Sequence, residues 1–413
     1  MAKDIETTIK NGGVTTPKGF LANGAACGIK QSGKKDLAIL YSQVPAAAAC
    51  AFTTNVFAAA PVRLSKAHLR ARFHQAIIVN SGNANCANGS LGDSDAKAMA
   101  HAAAKGLALS DRNVLVASTG IIGRRLPIAK IGMALSALLD GLSSSGGRLF
   151  SEAILTTDNV RKEASVRVKL GASTVTIGGA AKGVGMIYPD LKVASRHATM
   201  LCFITTDADI EKASLNSALG EAVDESFNMI SVDGDMSTND SVFLLANGLA
   251  GNRKITGGGN DFGRFKAALK YLTKELAKKI VSDGEGATKL IEVVVKGARS
   301  HNDAKSIARK VTTSNLLKAC VYGEDPNWGR VAASCGSSGA AFVPARTDMY
   351  FGGIKVLSNG AGISRIDRAA LRGVFKKKNI YIKIDLKSGH AGATAWTCDL
   401  SEEYVRINSA YST

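Results

Sequence analysis

Among the side chains that could do chemistry, Thr199 is set apart by its surroundings. The stretch "SRHATMLCF" (195–203) drops from a short polar run straight into apolar residues. A threonine hydroxyl is a weak nucleophile unless a base takes its proton. The usual side-chain bases are not evident. There is no G-x-S-x-G elbow, and His197, two residues upstream, is a lone histidine in a polar run. A threonine can instead be activated by its own α-amine when the chain is cut immediately before it, because the new amino terminus then takes the hydroxyl proton. Taken alone, the position reads equally as a β-branched residue opening a buried strand.

Other motifs are weaker. "GGAAKGVGM" (178–186) invites a phosphate-loop reading, but Lys182 lacks the G-x-x-x-x-G frame before it and a Ser/Thr after it. G-x-G-x-x-G is absent. The six histidines are dispersed and the seven cysteines form no C-x-x-C pair, so no metal site is expected. An odd number of scattered cysteines, with an N-terminus "MAKDIETTIKNGG" that lacks the basic-then-apolar order of a secretory signal, predicts reduced thiols in the cytoplasm.

The elements that must position these residues alternate short apolar strands with helices, as in an α/β or α+β protein. "HQAIIVNSGNANCANG" is a strand at Ala76–Val79 running into a Gly/Asn loop, and "DSDAKAMAHAAAKGLAL" is a helix with an acidic start. "NVLVASTGIIGRRLP" predicts a strand, a Ser-Thr-Gly turn, and a helix beginning near Pro127. In "GRFKAALKYLTKELAKKIVSDG" Phe265, Ala268, Leu269, Leu272, Leu276 and Ile280 make one apolar stripe, ringed by lysines on the polar face. "TKLIEVVVKGA" and "NIYIKIDL" are strands, the second alternating strictly. The glycine-rich stretches at 12–13, 178–185 and 257–259 punctuate these elements without long linkers, which predicts interlocked lobes.

The 413 residues, 46% apolar and 21% charged, suit a folded protein with a large core, and no apolar run is long enough to span a bilayer. The net charge of +18 fits either a nucleic-acid surface or a solvated basic exterior. With aromatics at 6% and no nucleic-acid-binding motif, the solvated exterior is favoured, and neither a nucleic-acid nor a membrane partner is expected.

Read together, the blocks "VNSGNANCANG" (79–89), "VASTGIIGRRLP" (116–127), "AILTTD" (153–158), "AAKGVGMIYP" (180–189), "ATMLCFITTDADI" (198–210), "SFNMISVDGDMSTND" (226–240), "SDGEGATKLIEV" (282–293), "YGEDPNWGR" (322–330) and "EYVRINSAYST" (403–413) resemble the ornithine acetyltransferase family, the glutamate N-acetyltransferases of arginine biosynthesis. The resemblance implies an α/β fold of the N-terminal-nucleophile sandwich type. It also implies self-cleavage between Ala198 and Thr199 into an α chain (1–198) and a β chain (199–413), assembled as an α2β2 heterotetramer. Thr199 would then pass the acetyl group of N-acetylornithine to glutamate by a ping-pong route. No cofactor is implied, although some family members also take acetyl-CoA as a co-substrate.

The resemblance assigns the oxyanion pair to Thr119 and Gly120, and substrate contacts to Thr156, Lys182, Glu285, Asn408 and Thr413. The adjacent Thr157 is not separable from Thr156. Lys182 suits an α-carboxylate and Glu285 the side-chain ammonium of ornithine. "DPNWGR" and "DGDMSTND" are expected to hold loops together without touching substrate. The chain departs from the family pattern at "KVASRH" (192–197), six residues inserted just before the ATML block. Two other readings stand beside this one: an amidohydrolase of the same type that passes the acetyl group to water, and an uncleaved, inactive basic binding protein.

Overall fold

The protein is described by a computed structural model covering residues 5–193 and 200–410. In chain order its strands are β1 (Ile5–Thr8), β2 (Phe20–Ala25), β3 (Leu37–Thr53), β4 (His74–Asn83), β5 (Val114–Ile121), β6 (Lys162–Leu170), β7 (Ser173–Lys182), β8 (Leu191–Val193), β9 (Leu201–Thr206), β10 (Ile230–Ser231), β11 (Ser241–Ala246), β12 (Leu290–Ala298), β13 (Asp348–Phe351), β14 (Ile354–Ser358), β15 (Ala361–Gly362), β16 (Asn379–Asp385) and β17 (Ala391–Cys398).

Two mixed sheets result. The larger runs β1-β6-β7-β9-β11-β3-β4-β5, with β2 and β8 also paired to β3. The smaller runs β10-β17-β12-β16-β13-β14-β15. The centre of the larger sheet explains the apolar run after Thr199. All six residues of β9 and all six of β11 are buried, because helices or core side chains cover both faces, and such strands read as continuous apolar stretches. β16 lies inside its sheet, between β12 and β13, with one face buried and the other partly wetted, and it keeps the alternation seen in its sequence.

The helix Gly259–Ser282 carries the predicted stripe, and Phe265, Ala268, Leu269, Leu272, Leu276 and Ile280 are all fully buried. One core cluster runs from the larger sheet (Ile177, Cys202, Val242) through this helix and Lys212–Asp224 to the smaller sheet (Val293, Ile382). The lysines around the stripe are not simply solvated. Lys266, Lys270 and Lys274 form a ladder of ion pairs with Glu221 and Glu225 on the neighbouring helix, at 2.6–3.1 Å. Two further clusters pack under β3, β4 and β5.

Strands from before residue 198 and after it interleave in one sheet: β9 pairs antiparallel with β7 and parallel with β11, and β11 pairs with β3. The expected glycine punctuation is therefore only partial, since Gly178 and Gly179 lie inside β7, where close neighbours leave no room for a side chain. The helix expected from Asp93 begins earlier, at Gly89. All seven cysteines are free, six of them buried. Among the described residues no helix is long and apolar enough to cross a membrane.

Candidate active site

A cavity of about 150 Å³ opens where the ends of β5 and β7 meet three loops and the C-terminal helix. Thr119, Gly120, Thr156, Thr157, Lys182, Glu285 and Asn408 all line it. Ala198, Thr199, His197 and Thr413 lie outside the described residues, as does most of "KVASRH"; its Lys192 and Val193 belong to β8, paired with β3. Met200, the first described residue after Thr199, precedes β9, and its carbonyl accepts the Ser241 N–H at 2.6 Å.

Thr119 and Gly120 do not form a turn, as the sequence suggested. They lie inside β5, paired in parallel with β4, and the ladder slips opposite Gly82 and Asn83. Gly120 has φ +133°, and a Cβ there would sit 2.3 Å from the Gly82 carbonyl carbon. Only glycine tolerates that conformation and that approach. Ser118, just before it, is anchored from beneath: Asn239 Nδ2 donates to the carbonyls of Ser118 (2.8 Å) and Ala84 (2.6 Å).

Lys182 ends β7 with its side chain nearly buried. Its Nζ donates to Thr156 Oγ1 at 2.8 Å and to Thr119 Oγ1 at 3.2 Å. Burial pushes its ammonium below the usual lysine range, with the charge of Lys162 in the same direction and Asp158 opposing. Asp158 is fully enclosed. It accepts from Lys162 Nζ (2.7 Å) and the amides of Gly183 (2.7 Å) and Thr156 (3.0 Å), and it lies 3.9 Å from Lys182 Nζ. Burial alone would raise its pKa, yet the two lysine charges together with the hydrogen bonds from Gly183 and Lys162 hold the carboxyl well below its usual range. Lys162 is shared with Asp283 at 2.6 Å, and Asp283 also takes the amide of Asn159 at 3.1 Å. The loop 156–160 is thus pinned by a buried lysine and two carboxylates.

Both threonines of "AILTTD" reach the cavity. Thr156 serves Lys182, while Thr157 Oγ1 donates to Glu285 Oε1 at 3.1 Å. Asn408 Nδ2 donates to the other Glu285 oxygen at 3.0 Å, so the C-terminal helix Glu402–Ala410 is docked on the site. Gly185 makes room for Glu285, since a Cβ on it would lie 2.4 Å from Oε2. The motif "DGDMSTND" holds loops together as expected, and it also lines the cavity through Asp233, Asp235, Ser237, Thr238 and Asn239. Asp233 takes the amides of Met186 (2.5 Å) and Ile187 (2.9 Å). Burial raises the pKa of Asp233 in spite of these bonds, and burial followed by the neighbouring acids raises that of Tyr404, another lining residue. "DPNWGR" lies away from this cavity, on a second cleft shared with Ile366 and Arg372.

Asp158, Asp283 and Tyr404 were not singled out from the sequence. The signal available was that each lies within or beside a block already quoted. Chemically, the cavity offers an ammonium with hydroxyls beside it together with several acids, which suits a zwitterionic amino acid with a cationic side chain.

A model of the ArgJ family matches residues 21–413. The arginine biosynthesis bifunctional protein ArgJ of Symbiobacterium thermophilum is 49% identical over 404 residues, 97% of this chain and 99% of that protein. The protein of the same name from Caldanaerobacter subterraneus subsp. tengcongensis is 45% identical over 409 residues, 98% of this chain and all of that one. The crystal structure of arginine biosynthesis bifunctional protein ArgJ from Bacillus halodurans is 40% identical, with a TM-score of 0.48, and spans 50% of this chain and 97% of that one. With a match from residue 21 to the C-terminus and relatives aligned end to end, the chain belongs to the ArgJ family.

Proposed function

We propose that this chain transfers the acetyl group of N-acetylornithine to glutamate in arginine biosynthesis, through an acetyl ester on Thr199. The observation that carries the reading is the convergence of Thr119, Gly120, Thr156, Lys182, Glu285 and Asn408 on one cavity beside the start of β9, which Met200 joins to residue 199.

In the precursor the Thr199 hydroxyl attacks the Ala198 carbonyl, the peptide C–N bond breaks, and water hydrolyses the resulting ester. This leaves an α chain of 1–198 and a β chain of 199–413, which stay together because their strands alternate in one sheet. In turnover the freed amine takes the hydroxyl proton as Oγ bonds to the acetyl carbon. The oxyanion is met by the Thr119 hydroxyl and the Gly120 N–H, each such donor contributing roughly 3 kcal/mol by precedent. Ornithine leaves with the proton, glutamate attacks the ester, and N-acetylglutamate departs. Lys182 holds the α-carboxylate of either substrate, and Glu285 and its neighbours face the side chain. Hydroxyl and amine supply the chemistry without a cofactor, and acetyl-CoA is a second acyl donor to assay. Assembly as α2β2 in the cytoplasm completes the reading.

Intact mass spectrometry joined to a transfer assay tests it. Expected are two fragments meeting at Ala198/Thr199, and N-acetylornithine consumed beyond one equivalent per site only when glutamate is present. Consumption independent of glutamate would instead establish an amidohydrolase. A single full-length chain, inert with both substrates, would refute the proposal. Thr199→Ala is expected to stop both cleavage and transfer, and retained transfer in that variant would remove Thr199 as nucleophile.

A further inference from the structure

The C-terminal helix Glu402–Ala410 carries Tyr404 and Asn408 to the cavity, yet none of its residues is buried and Val405 is 63% exposed. Packing of an apolar face is what usually holds a helix in place, so this one needs another anchor. The turn that enters it supplies one. Asp399 directly follows β17 and is buried. Its Oδ1 accepts the amides of Thr288 (2.8 Å) and Lys289 (2.9 Å), and its Oδ2 accepts the Thr288 hydroxyl. Its own N–H donates to the Lys289 carbonyl at 3.3 Å. Two residues on, Ser401 Oγ donates to the Gly286 carbonyl at 2.6 Å. Gly286 has φ +70°, and a Cβ there would stand 2.6 Å from the Tyr404 nitrogen, so only glycine lets loop and helix approach this closely. The fully buried Lys318 steadies the same turn, its Nζ donating to Cys398 O at 2.6 Å and to Thr397 Oγ1 at 3.2 Å.

The loop gripped in this way, 284–289, holds Glu285. The helix gripped with it holds Asn408, which donates to the Glu285 carboxylate at 3.0 Å from 123 residues away in the chain. We infer that Asp399 is a positioning residue for the substrate side chain: it ties the Glu285 loop to the C-terminal helix and so sets the Glu285 carboxylate where a cationic side chain meets it. The inference rests on the acetyl-transfer reading proposed above. Asp399 does not line the cavity, so it reaches substrate only through Glu285 and Asn408. Displacing Glu285 weakens the substrate that brings an ammonium side chain and leaves glutamate, which brings a carboxylate, nearly alone. Asp399 therefore acts on the choice between substrates, separately from the carboxylate end of the site at Lys182.

The test is Asp399→Ala, read as kcat, KM for each substrate, and ornithine affinity by calorimetry. The substitution leaves two amides and a hydroxyl without their acceptor and releases the helix. KM for N-acetylornithine and the ornithine Kd are expected to rise about tenfold, with kcat and KM for glutamate within about threefold of wild type. Asp399→Asn can keep the contacts, its amide oxygen accepting both N–H groups and its Nδ2 donating to Thr288 Oγ1, and is expected within about threefold of wild type throughout. A residue serving stability alone would lower the urea midpoint and leave the ratio of the two KM values where it was. In a Glu285→Gln background, Asp399→Ala is expected to add less than about twofold to KM for N-acetylornithine, because the contact it governs is already gone. An unmoved KM ratio in folded Asp399→Ala overturns the inference, as does the same increment in both backgrounds. Should Asp399→Ala not fold, Ser401→Ala removes one tie of the same turn; a rise of about threefold in KM for N-acetylornithine is expected, and an unmoved ratio again overturns the inference. A wild-type protein inert with both substrates refutes the acetyl-transfer reading instead. Ornithine affinity needs no turnover, so it still decides the role of Asp399 and keeps the two failures distinct.

Discussion

Replacing Asp158 by asparagine tests how the cavity keeps a charged lysine. Asp158 is fully enclosed and takes two backbone N–H groups and Lys162, and its charge offsets that of Lys182. Asparagine keeps the shape but offers one acceptor oxygen, so whichever way the amide turns, one backbone N–H loses its partner. Removing one member of a buried ion pair costs about 3–5 kcal/mol, and the Lys162 contact to Asp283 places this case near the lower bound. With an m-value of about 3 kcal/mol/M, that is a fall of about 1 M in the urea midpoint.

The functional effect is separate. Burial already depresses the Lys182 pKa, and Asp158 is the largest opposing charge. Without it the amine is held further below the usual lysine range, and where it gives up its proton the substrate carboxylate loses a charge-assisted bond of about 1.5–3 kcal/mol, or roughly 10- to 150-fold in KM. Protonation restores the contact, so KM in the variant falls as pH is lowered, while that of the wild type stays flat over the same window. The assay is KM for N-acetylornithine and for glutamate between pH 6 and pH 9. A variant KM that equals or undercuts the wild-type value at every pH would show that Lys182 stays charged without Asp158, and would refute this account.

Four further outcomes are expected. Gly120→Ala forces a Cβ to 2.3 Å from the Gly82 carbonyl carbon and so displaces a donor N–H; kcat falls about 10²–10³-fold in a steady-state assay while KM changes little. Asn239→Ala releases the Ser118 carbonyl and loosens the same strand, lowering kcat by about tenfold, and a wild-type kcat would deny it a positioning role. Glu285→Gln raises KM for N-acetylornithine by about tenfold and leaves glutamate unchanged or improved, because only the former brings a cationic side chain. His74 is buried with Nδ1 unpaired, and burial lowers its pKa from 6.5 to about 4. The unfolded chain therefore binds more protons between those values, so stability is complete above pH 6.5 and falls by up to about 3 kcal/mol as pH drops toward 4. Urea midpoints at pH 5 and pH 7 measure that slope, which His74→Met should flatten.

Patterns with a period were legible in the sequence and contacts without one were not. The stripe from Phe265 to Ile280 and the alternation of Asn379–Asp385 predict their elements because one face must be covered and the other wetted. The block around Thr119 resembles a turn because Ser, Thr and Gly favour turns, yet here Gly120 serves the close approach of two parallel strands, a demand set by residue 82, far away in sequence. Lysines on the helix 259–282 read as solvated until the helix 212–224 brings Glu221 and Glu225 against them. Lys162 gives no sign of being buried, since the acids that neutralise it stand 4 residues earlier and 121 residues later in the chain.

The same reasoning limits what net charge says about the site. The chain carries +18, which invites an anionic ligand, yet the cavity lining sets one lysine against three acids, Asp233, Asp235 and Glu285. The basic residues lie mainly where water screens them, and among the charges lining the cavity Lys182 is buried and acts at short range while Asp235 is exposed. What the cavity selects is set by the order of its charges. An amino acid whose carboxylate meets Lys182 must extend its side chain toward the acids, which favours ornithine's ammonium and leaves glutamate's second carboxylate the poorer fit. The acceptor is therefore expected to show the higher KM of the two substrates, and the difference should narrow as salt is added, because exposed charge contacts weaken while the buried Lys182 contact common to both does not. An unchanged ratio of the two KM values between low and high salt would place the discrimination in shape and not in charge.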